Sequence, residues 1–299
     1  MGAYYGQSHV LYSSILKHQK YEGQKTALWE GLDLLVHGDK TAAFKKYVQL
    51  VRHQGGRAEK IAALSKGIEL GLNLIDTAEI YQTEDIVAEA AKYHRREDLF
   101  IATKVSGAHL NYEMVLKAAD RSLKNLQSSY IDLYQIHWSN PKVPIAETMK
   151  AMEKLIEDGK IRYIGVSTFS VRELKHAEEA LSKNKIASNQ VEYNLMNRTM
   201  EKDLLPYCEQ KSIAIMAFLP LARGALVNPG GKLQTALEEI SRKHGGKTPA
   251  QIALNWQRRK SNIIFPIPRA SSPRRVVENA GSAGWSLDKQ DIKTLEASA

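Results

Sequence analysis

From residue 58 to the C-terminus, short apolar runs alternate with longer segments of helical periodicity, and this alternation leaves the chain few architectures. The runs fall at 72–76, 99–103, 131–136, 161–166, 187–191, 213–217 and 263–265. They are short, bounded by turn residues and mostly apolar, as strands covered on both faces are. Between them, helices are predicted over 58–70, 84–94, 111–126, 144–158, 170–182, 200–211, 233–244, 249–258 and 273–280, with a last one at 288–296. In the first, Ile61, Leu64 and Ile68 share one face and Gly71 stops the helix.

Strict strand–helix alternation implies an α/β fold with a parallel sheet and helical crossovers. Seven strands after residue 70 need one more to close a (β/α)8 TIM barrel, an eight-stranded parallel barrel ringed by helices, and the 32–36 run before the His37-Gly38-Asp39 turn is the candidate. An open doubly wound sheet is the alternative, but it normally carries a glycine-rich turn after its first strand, and no G-x-G-x-x-G occurs. Residues 1–299 are read as a single barrel domain whose first 57 residues are atypical, with short helices expected at 11–16 and 42–51.

Composition removes several function classes. With 43% hydrophobic and 25% charged residues the chain reads as a soluble globular protein, and no apolar run reaches membrane-spanning length. Cys208 is the only cysteine, which excludes an intrachain disulfide and a cysteine-rich metal site. A reducing, cytoplasmic location is the expectation. The net charge of +9 is spread among acids as on solvated helix faces, without interleaved aromatics, so no nucleic-acid partner is expected. The local cluster Arg269, Arg274 and Arg275 suits a phosphorylated small molecule better than a polymer. The nine histidines form no H-x-x-x-H or E-x-x-H cluster with strand-end carboxylates, and no metal is expected.

Polar residues recur at the carboxyl ends of successive strands: Asp76 with Tyr81 five residues on, Lys104, then His137. A barrel gathers those ends at one mouth. A tyrosine titrates near about 10, a neighbouring ammonium favours its phenolate, and a carboxylate holds that ammonium in place. His137 could orient a carbonyl oxygen or relay the proton. Such a set protonates a carbonyl while a hydride arrives from a cofactor, because none of these residues is itself a hydride source. A buried aspartate capping the next helix, with a tyrosine packed beneath it, is the plain structural reading of the same residues.

The phrases Asn73-Leu74-Ile75-Asp76-Thr77-Ala78 with Tyr81, Thr103-Lys104-Val105, Ile131-Asp132-Leu133-Tyr134-Gln135-Ile136-His137-Trp138 and Gly165-Val166-Ser167 follow one another in the chain. Asn189-Gln190-Val191-Glu192-Tyr193-Asn194, Pro220-Leu221 and Ile267-Pro268-Arg269 with Arg275, Glu278 and Asn279 complete the series. In this order and spacing they resemble the aldo-keto reductase superfamily over roughly residues 58–299. The resemblance implies a catalytic tetrad of Tyr81 as proton donor, Lys104 and Asp76 as its tuning pair, and His137 as the substrate-orienting residue. It implies NADPH rather than NADH as cofactor. Ser167 and Gln190, with Thr168 beside them, would meet the nicotinamide amide, and Phe218 would stack on its ring. Leu219 and Leu221 would border the phosphates, Arg269 and Arg275 would hold the 2′-phosphate, and Glu278 and Asn279 the adenine.

Trp138 is the candidate for the substrate pocket, and the implied partner is a small-molecule carbonyl compound. The chain departs from the family pattern in having Thr168 for the usual Asn, Leu219 for the usual Ser, and Ala270 for a common Ser. Its first 57 residues lack the family's G-x-G-T-W-like first strand. The expected activity is NADPH-dependent reduction of aldehydes or ketones to alcohols. A nucleotide-binding regulatory or scaffold protein, as the potassium-channel β-subunits of the same fold are, is the alternative.

Overall fold

The computed structural model describes residues 47–49 and 56–299. Eight strands form one parallel sheet in sequence order: β1 (Tyr47–Gln49), β2 (Leu74–Asp76), β3 (Phe100–Val105), β4 (Ile131–Ile136), β5 (Ile161–Ser167), β6 (Ile186–Glu192), β7 (Ala214–Phe218) and β8 (Ile264–Pro266). The helices between and after them are α1 (Arg57–Glu69), α2 (Glu84–Ala91), α3 (Tyr112–Leu126), α4 (Ile145–Glu157), α5 (Val171–Glu179), α6 (Leu204–Lys211), α7 (Gly231–Lys243), α8 (Pro249–Lys260), α9 (Pro273–Ala280) and α10 (Lys289–Ser298). Each strand pairs in parallel with the next, as the alternating sequence requires.

The start of the chain differs from expectation. Tyr47–Gln49 pairs with Leu74–Asp76 as a strand, although a helix was expected over 42–51. A tyrosine and a β-branched valine at its centre suit an extended backbone, and the neighbouring strand supplies the pairing that local propensity ignores. The 32–36 run and the helix at 11–16 lie outside the described residues. Elsewhere the differences are at the ends. The helix expected from 200 opens as a 3-10 turn, Thr199–Glu201, and α6 begins after Asp203, whose side chain accepts from the Leu204 N–H.

The strands separate two apolar layers. Ile75, Ile101, Tyr134, Ile136, Val166 and Ile215 face the helices and pack with Leu64, Val115, Met149 and Leu174. Leu74, Phe100, Ala102, Leu133, Ala214, Met216 and Phe265 alternate with them and cluster on the opposite face. Asp76, Lys104 and Gln135 continue that second set by steps of two, so the last inward positions of β2, β3 and β4 are polar. Close approach on this face demands a glycine in β5. A Cβ at Gly165 would lie 2.5 Å from Ser188 Oγ and 2.7 Å from Gln135 Cγ. Among the described residues no helix is long and apolar enough to cross a membrane.

Candidate active site

Asp76 is the last residue of β2, and the chain then turns sharply. The Thr77 N–H donates to Ala102 O at 2.9 Å, and a 3-10 turn, Glu79–Tyr81, returns the phenol over the sheet end. Gln82 closes the turn in the left-handed region at φ 52°. Behind it the Thr77 and Thr83 hydroxyls hydrogen-bond at 2.8 Å, while Glu84, at the start of α2, accepts from Thr103 at 2.7 Å and Asn125 at 3.1 Å. The turn is therefore fastened to both β3 and α3.

Lys104 lies within β3 rather than just beyond it, and neither it nor Asp76 is exposed. Its ammonium donates to Asp76 Oδ2 at 2.6 Å and to Thr77 O at 2.9 Å. Asp76 Oδ1 accepts from Gln190 Nε2 at 3.0 Å and from Gln135 Nε2 at 3.4 Å. A buried ion pair of this kind is tolerable only with further hydrogen bonds, and here each partner makes them, Lys104 to Thr77 O and Asp76 to two amides. Burial pushes Lys104 below its ordinary value, and Asp76 opposes that shift.

The phenol of Tyr81 is 3.2 Å from His137 Nε2, and the two rings meet edge to face. The Lys104 ammonium sits 5.1 Å from the centroid of the Tyr81 ring. The ammonium thus lies against the ring, neutralised by Asp76. The lowering of the phenol's pKa expected from Lys104 is accordingly not found. Burial, followed by the Asp76 charge, pushes Tyr81 up from its ordinary value. His137 is pushed down to about 3 by burial and by Lys104, so at neutral pH the imidazole is uncharged. Its Nδ1 is buried with no hydrogen-bond partner among the described residues. Beyond it Trp138 stacks obliquely on His137, ring centroids 4.9 Å apart, and is 40% exposed.

Around this group stand the residues expected to hold a nucleotide. At the end of β5 the Ser167 hydroxyl donates to Gln190 O at 3.0 Å, and the Thr168 N–H donates to the same carbonyl at 2.8 Å. Thr168 adopts φ 61°, an unfavourable conformation for a β-branched residue, with its hydroxyl turned back onto Ser167 O at 2.7 Å. Gln190 spends its amide N–H on Asp76, which couples β6 to the buried ion pair. Phe218 ends β7 and packs against the inward cluster. Leu219 follows at φ 50°, its carbonyl held by Asn194 Nδ2 at 3.0 Å, and Pro220 O accepts from Gln257 Nε2 at 2.7 Å. Leu221 packs against the outer layer.

Beyond β8, Arg269 keeps Nε and Nη2 buried without a hydrogen-bond partner. Two adjacent guanidinium donors left without an acceptor fit a phosphate dianion. Arg275 is exposed on α9, which also carries half-buried Glu278 and buried Asn279. Gln135 and Glu79 were not singled out from the sequence. The signal for Gln135 was present, because it stands two residues before His137 in a strand and shares its face. Among the described residues, no group of three or more His, Cys, Asp or Glu stands together that could hold a metal ion.

Similar proteins are found among both known sequences and solved structures. The Aldo/keto reductase family pattern matches residues 51–299. The methylglyoxal reductase YeaE of Escherichia coli is 36% identical over 243 residues, 80% of this chain and 84% of that protein. The glyoxal reductase of Bacillus subtilis is 37% identical over 243 residues, 80% of this chain and 83% of its own. Among solved structures, a thermostable aldo-keto reductase in complex with the inhibitor epalrestat superposes with a TM-score of 0.79 at 35% identity, covering 85% of this chain and 95% of that one. An aldo/keto reductase from Klebsiella pneumoniae in complex with NADP and acetate gives 0.78 at 33% identity, covering 85% and 90%. A pattern spanning most of the chain, relatives above a third identical and a shared fold lead to one conclusion: the chain belongs to the aldo/keto reductase family.

Proposed function

We propose that the protein is an NADPH-dependent reductase that converts aldehydes or ketones to alcohols, with Tyr81 as the proton donor. One observation carries the reading: the Tyr81 phenol lies 3.2 Å from His137 Nε2 above a fully buried Lys104–Asp76 pair. When bound, NADPH supplies a hydride to the carbonyl carbon, chemistry no side chain here can provide. The residues present fit that cofactor, since Arg269 holds unpaired buried donors for a phosphate and Phe218 offers a ring face at the end of β7. Ser167, Thr168 and Gln190 would border the nicotinamide amide, Leu219 and Leu221 the diphosphate, Arg275 the 2′-phosphate, and Glu278 and Asn279 the adenine.

Tyr81 delivers its proton to the carbonyl oxygen as charge develops there. Burial keeps the phenol protonated, the form a donor must start from. His137 is assigned the tautomer with hydrogen on Nε2. The buried, unpartnered Nδ1 is then an acceptor, which costs less to leave unpaired than an N–H. That N–H points at the Tyr81 oxygen and leaves the phenol proton free for the substrate. Lys104, 5.1 Å from the centroid of the Tyr81 ring, would offset the Asp76 charge that opposes the proton's departure. Trp138 would form an aromatic wall of the substrate pocket.

The β8–β1 pairing that would close the sheet into a (β/α)8 barrel, and the whole chain as one domain, belong to the same proposal. Relatives named methylglyoxal reductase and glyoxal reductase make small dicarbonyls the first substrates to try. The test follows loss of NADPH absorbance with methylglyoxal, glyoxal and an aromatic aldehyde, with the alcohol identified by mass. Stoichiometric alcohol is the expected result. Saturable NADPH binding without turnover on any of the carbonyls would overturn the reductase reading.

A further inference from the structure

We propose that Glu79 is a positioning residue: its carboxylate clamps the Tyr81 turn to the loop after β3, and so fixes both the proton donor and the Trp138 wall. The inference rests on the reductase reading above and extends it to what holds the donor in place. Glu79 opens the same 3-10 turn that ends at Tyr81. Its side chain is only 12% exposed. Oε1 accepts from the backbone N–H of Ser106 and lies 2.9 Å from His109 Nδ1, while Oε2 is 3.4 Å from Arg121 Nη2 on α3.

Ser106 in turn starts a second 3-10 turn, Gly107–His109, its hydroxyl oxygen accepting from the Ala108 N–H at 3.2 Å. The far side of that turn is tied to the loop after β4, where Asn140 Nδ2 donates to Gly107 O at 2.8 Å. The Trp138 indole rests directly on this turn. A Cβ at Gly107 would lie 2.1 Å from Trp138 Nε1, so only glycine permits the contact. Trp138 touches His137, and His137 bonds the Tyr81 phenol, which closes the circuit back to Glu79.

Within its own turn Tyr81 is held by one backbone hydrogen bond, its N–H to Ala78 O at 3.0 Å. The charge-assisted bonds of Glu79 are therefore the main tie between that turn and the loop beneath Trp138. Loosening a proton donor by about 1 Å costs up to about a hundredfold in rate. Ser167 at the end of β5, Thr168 just after it and Gln190 on β6 bond to one another and to Asp76 rather than to Glu79, so nucleotide affinity is not routed through the clamp.

The experiment compares wild type, Glu79→Ala and Glu79→Gln with NADPH and methylglyoxal, measuring kcat, NADPH Kd and tryptophan emission. Glu79→Ala is expected to lower kcat by about tenfold to a hundredfold with unchanged NADPH Kd and an altered tryptophan spectrum. Glu79→Gln keeps an oxygen for the Ser106 N–H and is expected to recover most of the rate. Wild-type kcat in Glu79→Ala would overturn the proposal, and so would a joint loss of kcat and NADPH affinity in both variants. An inactive wild type that still binds NADPH would instead remove the reductase reading beneath it.

Discussion

Replacing Lys104 by methionine keeps the length of the side chain and deletes its charge. In the variant the Asp76 carboxylate remains fully buried and keeps the amide donors of Gln190 and Gln135, a poor substitute for an ammonium at 2.6 Å. The cheaper escape is for the aspartate to take up a proton on folding. Neutralising an ordinary aspartate, which titrates near 3.9, costs about 1.4 kcal/mol per pH unit above that value, or about 4 kcal/mol at pH 7. This agrees with the roughly 3–5 kcal/mol typical of breaking a buried pair.

The sign follows from proton counting. Above about pH 4 the folded variant binds a proton that its unfolded chain has released, so the variant loses stability as pH rises. Its deficit against wild type should be small near pH 4 and grow by about 1.4 kcal/mol per unit toward pH 7. Urea unfolding at several pH values reads this directly. The double variant Asp76→Asn/Lys104→Met should recover most of the loss, because removing both charges leaves nothing uncompensated. A deficit below about 1 kcal/mol at pH 7, or one that does not change with pH, would refute the buried-pair reasoning.

Three further outcomes follow from the same structure. Thr168→Asn places a residue that tolerates the left-handed region at φ 61° and should raise the melting temperature by about 2–4 °C, read by calorimetry; no gain would mean the strain is not there. Arg269→Ala removes the buried, unpartnered donors and should weaken NADPH far more than NADH in fluorescence titrations; equal loss of both would end the case for 2′-phosphate recognition. Because His137 is pushed from 6.5 down to about 3, the unfolded chain takes up a proton below about pH 6.5 that the folded site resists. His137→Gln should therefore lose less stability than wild type between pH 6.5 and 4.5, and parallel urea curves would contradict this.

The strand ends were legible because a parallel sheet needs near-continuous apolar runs, and a polar residue after such a run is conspicuous. Asp76, Lys104 and His137 were found in that way. Their contacts were not, since Gln190 reaches Asp76 across 114 positions and Gln135 across 59. Only the register of neighbouring strands brings them together. The sequence also suggested that Lys104 would lower the Tyr81 phenol's pKa, whereas the ammonium lies against the ring and burial raises it. Burial depends on the fold and cannot be read from residue types. Tyr47–Gln49 was misread as helical because Ala42, Ala43, Lys45 and Lys46 favour helix locally, and the strand exists through its pairing with β2. Glu79 was not singled out, because its partners Ser106 and His109 lie on the loop after β3 and are brought to it only by the fold.

The most direct test of the account is the rate of methylglyoxal reduction by Tyr81→Phe, with NADPH affinity measured on the same preparation. The account expects a fall in kcat of about a hundredfold to ten-thousandfold, the usual contribution of a positioned general acid, with NADPH bound as tightly as by wild type. A variant that binds NADPH and keeps the wild-type rate would show that the phenol above Lys104 does not deliver the proton.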